Sequence, residues 1–168
     1  MKLSDELIQK IEAKKAIVGV MGLGYVGLPL VREFVNSGFT VHGFDVDERK
    51  VKMLNTCKTY IEYLPGKVFK EYIDRGVFRA TTDMNELKRP DAILICVPTP
   101  LDKMREPDMT YVRGTAEAIA KRLRKGQLIV LESTTYPGTT REVVRPILDA
   151  SGKKLDQDYF LAFSPERE

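Results

Sequence analysis

Cysteines are scarce in this sequence of 168 residues, and their placement excludes two classes of site. Cys57 lies in a polar stretch and Cys96 in an apolar run, far apart in the chain. Because a disulfide framework or a C-x-x-C metal site needs several cysteines in a close pattern, the sequence predicts neither, and we assign no metal ligands. Cysteine usage of this kind favours a reducing compartment, so we expect the protein in the cytoplasm.

Long apolar runs and an excess of one charge are also absent. No stretch reaches the roughly 20 apolar residues that span a bilayer, and the first residues, MKLSDELIQK, lack the apolar segment of a signal peptide. The 27 Lys and Arg residues only slightly outnumber the 24 Asp and Glu residues, and they form no basic block that could follow a phosphate backbone. We therefore predict neither a membrane nor a nucleic acid as a partner.

The sequence does contain the pattern of a single globular domain. Hydrophobic residues make up 43% and charged residues 30% of the chain, which excludes a disordered or fibrous protein. Short apolar runs rich in Val, Ile and Phe recur between turn residues, as in buried strands. Six predicted strands cover residues 16–21, 40–44, 77–82, 92–97, 128–131 and 159–163.

Segments with helical character lie between these strands. Glycine follows several of them, where it ends a helix without side-chain strain. The alternation predicts right-handed crossovers and an α/β fold: a Rossmann-type doubly wound parallel sheet of about six strands, with helices on both faces. The predicted helices cover residues 25–37, 47–55, 67–75, 110–124 and 140–150.

Residues 1–15 stand apart as a predicted amphipathic helix. Leu3, Leu7 and Ile11 recur at helical spacing, and Ser4 is the predicted N-cap. We favour a surface helix packed on the edge of the domain over a helix that binds a partner.

The strongest chemical signal is the glycine motif Gly22-x-Gly24-x-x-Gly27, which follows a predicted strand and opens a predicted helix. In this context Gly22 allows a tight turn, Gly24 allows close approach of a pyrophosphate, and Gly27 allows the helix to pack on the sheet. Unpaired backbone N–H groups at a helix N-terminus attract such an anion. The motif is thus typical of a dinucleotide site, with a purely structural turn as the alternative. Pro29, which lacks an N–H, predicts a local irregularity in the helix.

Asp45 ends the second predicted strand, at about the 20-residue spacing after the motif that is typical of a carboxylate binding the ribose hydroxyls of NAD. A carboxylate repels a 2′-phosphate, so NAD is favoured over NADP, although Arg49 and Lys50 weaken that preference. A turn or N-cap role for Asp45 is the alternative. The single histidine, His42, lies on the same strand, and we predict no catalytic role for it.

Two later segments follow the fourth and fifth predicted strands, at the sheet edge where open α/β folds bind ligands: ICVPTP (95–100) and LESTTYPGTT (131–140). With GLGYVGLPL and the terminal FSPERE, they give four motifs in order. The chain from about residue 16 onward therefore resembles the nucleotide-sugar 6-dehydrogenases, which include the UDP-glucose, GDP-mannose and UDP-N-acetylhexosamine dehydrogenases. TPLDKMREPDMTYV and FSPERE are most similar to the branch that acts on UDP-N-acetylglucosamine or UDP-N-acetylmannosamine.

This resemblance implies a reaction and its partners. Family members oxidise the C6 hydroxyl of a nucleotide sugar to a carboxylate in two hydride transfers to NAD⁺, through a thiohemiacetal and a thioester on a cysteine. NAD is therefore the expected cofactor, a UDP-sugar the expected substrate of the full-length enzyme, and a homodimer its expected assembly.

The family's nucleophilic cysteine, in a GGxCxPKD-like motif, and its catalytic lysine and asparagine fall beyond the matched region. Neither Cys57 nor Cys96 has that context. We expect residues 16–168 to be the NAD-binding domain of a longer enzyme, which binds NAD but does not by itself turn over a nucleotide sugar. A stand-alone NAD-binding or sensing module and another Rossmann dehydrogenase are the alternatives.

The resemblance also assigns site residues, position by position. Thr134 and Glu166, the latter in the S-P-E motif, are the predicted catalytic residues, and Glu166 corresponds to a glutamate that assists thioester hydrolysis. Turn formation by Thr99, capping by Thr134 and a solvated charge at Lys50 are the simpler alternatives. The predicted cofactor-binding residues are Gly22, Leu23, Gly24, Tyr25, Val26 and Gly27 around the pyrophosphate, Asp45 and Lys50 at the adenosine ribose, and Val97, Pro98, Thr99 and Thr134 on the nicotinamide side.

Overall fold

Six short strands pair in parallel to form one sheet in the computed structural model, which describes residues 2–101, 103, 105 and 107–165. The strand order is β3-β2-β1-β4-β5-β6, so the chain winds outward from β1 in both directions. This is the doubly wound order of the Rossmann fold, and it confirms the predicted fold class and all six predicted strands. The strands are β1 (Ile17–Met21), β2 (Thr40–Phe44), β3 (Phe78–Thr81), β4 (Ala92–Ile95), β5 (Gln127–Leu131) and β6 (Tyr159–Phe163).

Helices cover both faces of the sheet. A 3₁₀ turn at Met84–Lys88 and a π-helical turn at Thr140–Val144 complete the helical segments. No helix among the described residues is long and apolar enough to cross a bilayer. The helices are α1 (Leu3–Glu12), α2 (Gly27–Asn36), α3 (Glu48–Asn55), α4 (Gly66–Asp74), α5 (Thr110–Ala120) and α6 (Arg145–Asp149).

The sheet separates two hydrophobic cores, because neighbouring side chains of a strand point to opposite faces. On β4, Leu94 belongs to the first core, with α2, α3 and α4, whereas Ile93 and Ile95 belong to the second, with α5 and α6. The central strands β1, β2 and β4 are therefore buried on both faces, and the outer strand β3 alternates between buried and half-buried residues.

The helix α1 packs at the edge of the sheet where the strands begin. Its Leu7 is buried, and its Lys10 ammonium lies 2.8 Å from the buried Asp91 carboxylate, which also accepts the Ile17 N–H at 3.0 Å. The prediction of Ser4 as the N-cap is wrong. The helix begins at Leu3 with Lys2 as its N-cap, two residues earlier than predicted, because the Asp5 carboxylate accepts the Lys2 N–H and closes the first turn.

Two helices differ from prediction at a proline. The helix α2 begins at Gly27 rather than Tyr25. The Leu28 and Leu30 N–H groups donate to the Gly24 and Val26 carbonyls, four residues earlier, but Pro29 has no N–H for the Tyr25 carbonyl, so the expected irregularity is this missing bond at the start of the helix. The predicted helix over 140–150 forms with a π-helical turn at Thr140–Val144 that continues into α6, since Pro146 offers no N–H to the carbonyl four residues before it.

Candidate dinucleotide-binding cleft

A cleft of about 800 Å³ lies at the carboxyl ends of β1, β2, β4 and β5, on either side of the point where the strand order reverses. Open α/β sheets bind their ligands at this position. The cleft contains every predicted cofactor-binding residue except Leu23 and Gly27. Its lining residues are Met21, Gly22, Gly24, Tyr25, Val26, Phe44, Asp45, Val46, Asp47, Lys50, Met84, Cys96, Val97, Pro98, Thr99, Thr110, Tyr111, Gly114, Thr115, Ala118, Glu132, Ser133 and Thr134.

The three glycines of the motif differ in what a side chain would meet. At Gly22, φ is +93° and a Cβ would lie 2.6 Å from the Cys96 carbonyl oxygen. At Gly27, a Cβ would lie 1.9 Å from the Gly22 carbonyl oxygen, so this glycine allows α2 to approach the turn after β1. At Gly24, a Cβ would meet no atom within 4 Å. Gly22 and Gly27 are thus required by the fold, whereas Gly24 leaves open space in the cleft.

Backbone donors surround this open space. Within the described part of the chain, the N–H groups of Gly24, Tyr25 and Val26 donate no hydrogen bond. They precede the first turn of α2, whose N-terminus carries a partial positive charge. Unpaired N–H groups at a helix N-terminus favour the binding of an anion.

Asp45 lies at the end of β2, where its side chain is only 8% exposed. Its Oδ2 accepts the Leu23 N–H and its Oδ1 accepts the Asp47 N–H, both at 2.9 Å. The Lys50 ammonium lies 3.6 Å from Oδ2. Because an ionised carboxylate has about four acceptor positions, two remain to accept hydroxyl groups from a ligand.

The contacts of Leu23 explain why it does not line the cleft. Its side chain is fully buried in the first core, and its N–H is already bound to Asp45. We therefore place Leu23 behind the cofactor-binding surface, as a residue that contacts Asp45 and not the pyrophosphate.

The loops after β4 and β5 are joined on the other side of the cleft. The Thr99 hydroxyl donates to the Thr134 carbonyl at 2.7 Å, and the Ser133 hydroxyl donates to the Val97 carbonyl at 2.7 Å. Both loops contribute to the lining, and Thr134 is exposed there. The segments 95–100 and 131–140 are thus in direct contact, which the sequence alone did not show.

Sequence reasoning missed part of the lining. Glu132, only 9% exposed, directly follows β5, and its position at a strand end was the available signal. The cleft is also lined by three residues of α5, Thr110, Tyr111 and Thr115. The sequence could not indicate them, because its pattern does not distinguish a polar helix face that lines a cleft from one that faces solvent elsewhere.

The remaining candidates lie elsewhere. Glu166 is outside the described residues. His42 is buried away from the cleft, and burial together with the nearby positive charge of Arg79 lowers its pKa to about 4. Cys57 does not line the cleft, whereas the buried Cys96 does. Among the described residues, no group of three His, Cys, Asp or Glu side chains could hold a metal ion.

Comparison with known proteins shows the same motifs in a known family. The NAD binding domain of the UDP-glucose/GDP-mannose dehydrogenase family matches residues 16–168. A UDP-N-acetyl-D-glucosamine 6-dehydrogenase of Pseudomonas aeruginosa is 36% identical over 151 residues, which cover 89% of this chain and 35% of that protein. A UDP-N-acetyl-D-mannosamine dehydrogenase of Pyrococcus horikoshii is 33% identical, covering 89% of this chain and 36% of that protein.

A solved structure agrees with these sequence matches. A ternary complex of GDP-mannose dehydrogenase from Pseudomonas aeruginosa superposes with a TM-score of 0.84 and 31% identity, covering 89% of this chain and 36% of that chain. The chain thus spans little more than a third of the relatives it matches. The resemblance predicted from the motifs is confirmed: this chain belongs to the UDP-glucose/GDP-mannose dehydrogenase family and matches its NAD-binding domain.

Proposed function

We propose that this chain is the cofactor domain of an enzyme that oxidises the C6 hydroxyl of a UDP-sugar to the uronic acid with two NAD⁺. The observation that carries the proposal is the pairing, in one cleft, of an open glycine turn with the buried Asp45 carboxylate. Relatives that oxidise UDP-N-acetylglucosamine and UDP-N-acetylmannosamine favour a UDP-N-acetylhexosamine as substrate, with UDP-glucose as the alternative. A homodimer of the whole enzyme and a cytoplasmic location, where thiols stay reduced, are part of the proposal.

The open turn fits the pyrophosphate of NAD. The space at the Gly24 Cβ position admits an anion close to the backbone. The N–H groups of Gly24, Tyr25 and Val26 donate to no other group in the described chain and are available to that anion. The partial positive charge at the start of α2 adds to this attraction.

The adenosine end is assigned to Asp45 and Lys50. The two acceptor positions that Asp45 leaves open suit the 2′- and 3′-hydroxyls of the ribose. A 2′-phosphate would meet the same carboxylate at close range, so NADP is disfavoured. Lys50 offsets only part of this repulsion, because its ammonium is already paired with Asp45.

The nicotinamide end is assigned to the joined loops after β4 and β5. When bound there, NAD⁺ supplies the hydride acceptor for the sugar C6 carbon. Val97, Pro98 and Thr99 of the first loop and Thr134 of the second line this end together. Thr134, exposed on the cleft, and Glu166, outside the described residues, remain our proposed catalytic residues.

A turnover assay tests the reaction. The chain, and the longer product where the gene continues past Glu168, are each incubated with NAD and UDP-N-acetylglucosamine, UDP-N-acetylmannosamine or UDP-glucose, and NADH absorbance is followed. We expect two NADH per sugar from the longer enzyme and none from this chain. NADH formation by this chain would contradict the expectation that the chain alone is inactive. If the longer enzyme formed no NADH with any of the three sugars, the proposed reaction would be contradicted.

A further inference from the structure

The segment between α3 and α4, residues 56–65, contacts the glycine motif through two tyrosine hydroxyls. The Tyr60 hydroxyl donates to the Leu23 carbonyl, and the Tyr63 hydroxyl donates to the Tyr25 carbonyl at 3.3 Å. Tyr60 is half-buried, whereas Tyr63 is 58% exposed. The contact that is shielded from water is therefore that of Tyr60.

This segment is anchored by contacts with the first hydrophobic core and not by residues that line the cleft. Ile61 and Leu64, on either side of the contact, are almost fully buried in the first core. The Ile61 N–H also donates to the Thr59 hydroxyl at 3.1 Å, which fixes the local turn. Tyr60 thus extends toward the glycine motif from a segment that is anchored in the first core.

Leu23 connects Tyr60 to Asp45. Its carbonyl accepts the Tyr60 hydroxyl, its N–H donates to Asp45 at 2.9 Å, and its side chain is fully buried. A second route joins the same two residues, because the Lys50 ammonium lies 5.7 Å from the centre of the Tyr60 ring and 3.6 Å from the Asp45 carboxylate. Asp45, Leu23, Tyr60 and Lys50 form a closed ring of contacts.

The chemistry of Tyr60 suits a permanent donor. Burial, and then the negative charges of Asp45 and Asp47, raise the pKa of Tyr60 well above its usual value. A tyrosine hydroxyl is protonated at neutral pH in any case, and the raised pKa extends its donation to the Leu23 carbonyl to more alkaline pH.

We propose that Tyr60 is a positioning residue for the cofactor: by fixing Leu23 and Lys50 around Asp45, it aims the open acceptor positions of that carboxylate at the adenosine ribose. The inference rests on the proposed NAD site and deepens it. Tyr60 is not among the site residues predicted from the sequence, and it does not line the cleft. It acts on the cofactor only through Leu23 and Lys50. Its loss would also disturb the Gly24 N–H, which shares a peptide unit with the Leu23 carbonyl, so the effect on the ribose is the part that depends on the 2′-hydroxyl of the ligand.

The test compares NAD with its analogue that lacks the 2′-hydroxyl of the adenosine ribose. Both ligands are titrated by calorimetry into the wild-type chain, Tyr60→Phe and the control Tyr72→Phe. The control also removes one tyrosine hydroxyl from the first core, where Tyr72 donates to Asn36 at 2.8 Å, away from the cleft. Because partial unfolding weakens both ligands by the same factor, the ratio of their dissociation constants reports ribose recognition alone.

We expect Tyr60→Phe to weaken NAD about fivefold to tenfold, the equivalent of roughly one hydrogen bond. We expect the ratio of dissociation constants, analogue over NAD, to fall toward one, although the Phe ring still contacts Lys50. Tyr72→Phe keeps the wild-type ratio. In an Asp45→Asn background, Tyr60→Phe has no further effect on NAD. An unchanged ratio in Tyr60→Phe, or full additivity with Asp45→Asn, would overturn the inference while leaving the NAD site intact. A wild-type chain that binds no NAD would instead overturn the proposed function and the inference together.

Discussion

The hydroxyl of Thr99 donates a hydrogen bond to the backbone carbonyl of Thr134 at 2.7 Å, which joins the loops that follow β4 and β5. The Ser133 hydroxyl makes a second connection to the Val97 carbonyl. Two neighbouring parallel strands thus end in loops that hold each other, and their shared surface forms one end of the cleft. The shape of the proposed nicotinamide end therefore depends on these side-chain to backbone bonds.

Thr99→Val removes the bond between the two loops and keeps the side-chain volume. We expect a loss of stability of at most about 1 kcal/mol, since the Thr134 carbonyl can turn to water, and an NAD affinity about threefold to tenfold weaker. Thermal unfolding and NAD titration measure the two effects. Thr56→Val, whose hydroxyl bonds only to the end of α3, is the control, and an NAD affinity equal to that of this control would contradict the role of Thr99.

Two alanine substitutions in the glycine motif separate a binding role from a structural one. Gly24→Ala places its methyl group in open space, so the fold is kept and NAD binding falls about tenfold or more. Gly27→Ala places its methyl group against the Gly22 carbonyl, so the chain loses about 3 kcal/mol of stability or fails to fold. Circular dichroism and calorimetry distinguish the outcomes. Full NAD binding by a folded Gly24→Ala would contradict the assignment of the pyrophosphate.

Asp45→Ala tests the choice of cofactor. We expect weaker binding of NAD and a smaller advantage over NADP, because the carboxylate both accepts the ribose hydroxyls and repels a 2′-phosphate. Asp83 is a matched control: it follows β3, and its carboxylate accepts the N–H two residues later, as Asp45 does, but it does not line the cleft. Asp83→Ala therefore keeps the preference. Equal affinities for NAD and NADP in the wild-type chain would rule out the role of Asp45.

The buried His42 makes stability depend on pH. Burial, reinforced by the charge of Arg79, lowers its pKa from the usual 6.5 to about 4. Between these values the unfolded chain binds a proton that the folded chain does not, so stability from this group is complete above pH 6.5 and is lost as the pH falls toward 4. Relative to His42→Gln, the wild-type chain should lose about 3 kcal/mol over this range. Urea unfolding at several pH values checks this, and parallel pH profiles for both proteins would contradict it.

The periodicity of the sequence was sufficient to predict the order of elements and the fold class, but not the ends of the helices. Ser4 was a plausible cap because of its residue type, yet the bond from Lys2 to Asp5 starts α1 earlier. Pro29 removes one backbone bond at the start of α2, and Pro146 removes one beside the π-helical turn, so each changes the helix locally. The exact residue at which a helix begins decides such effects, and helix propensity does not predict helix ends to a single residue.

The site was predictable where a residue type carries the chemistry and not where position alone does. Glycine spacing and a carboxylate at a strand end indicated Gly24 and Asp45, and both line the cleft. Leu23 and Tyr60 are residues whose roles depend on position in the folded structure. Leu23 lies inside the motif but behind the surface, and Tyr60 lies far along the chain and reaches Leu23 only in the folded structure.

The most direct test of NAD binding in this cleft is a calorimetric titration of the wild-type chain and of Gly24→Asp with NAD. We expect saturable binding at one site per wild-type chain. We expect no measurable binding to a folded Gly24→Asp, because the added carboxylate occupies the open space at the glycine turn and repels the pyrophosphate. Equal affinity of the two proteins for NAD, with both shown to be folded, would place the cofactor elsewhere and contradict the proposed site.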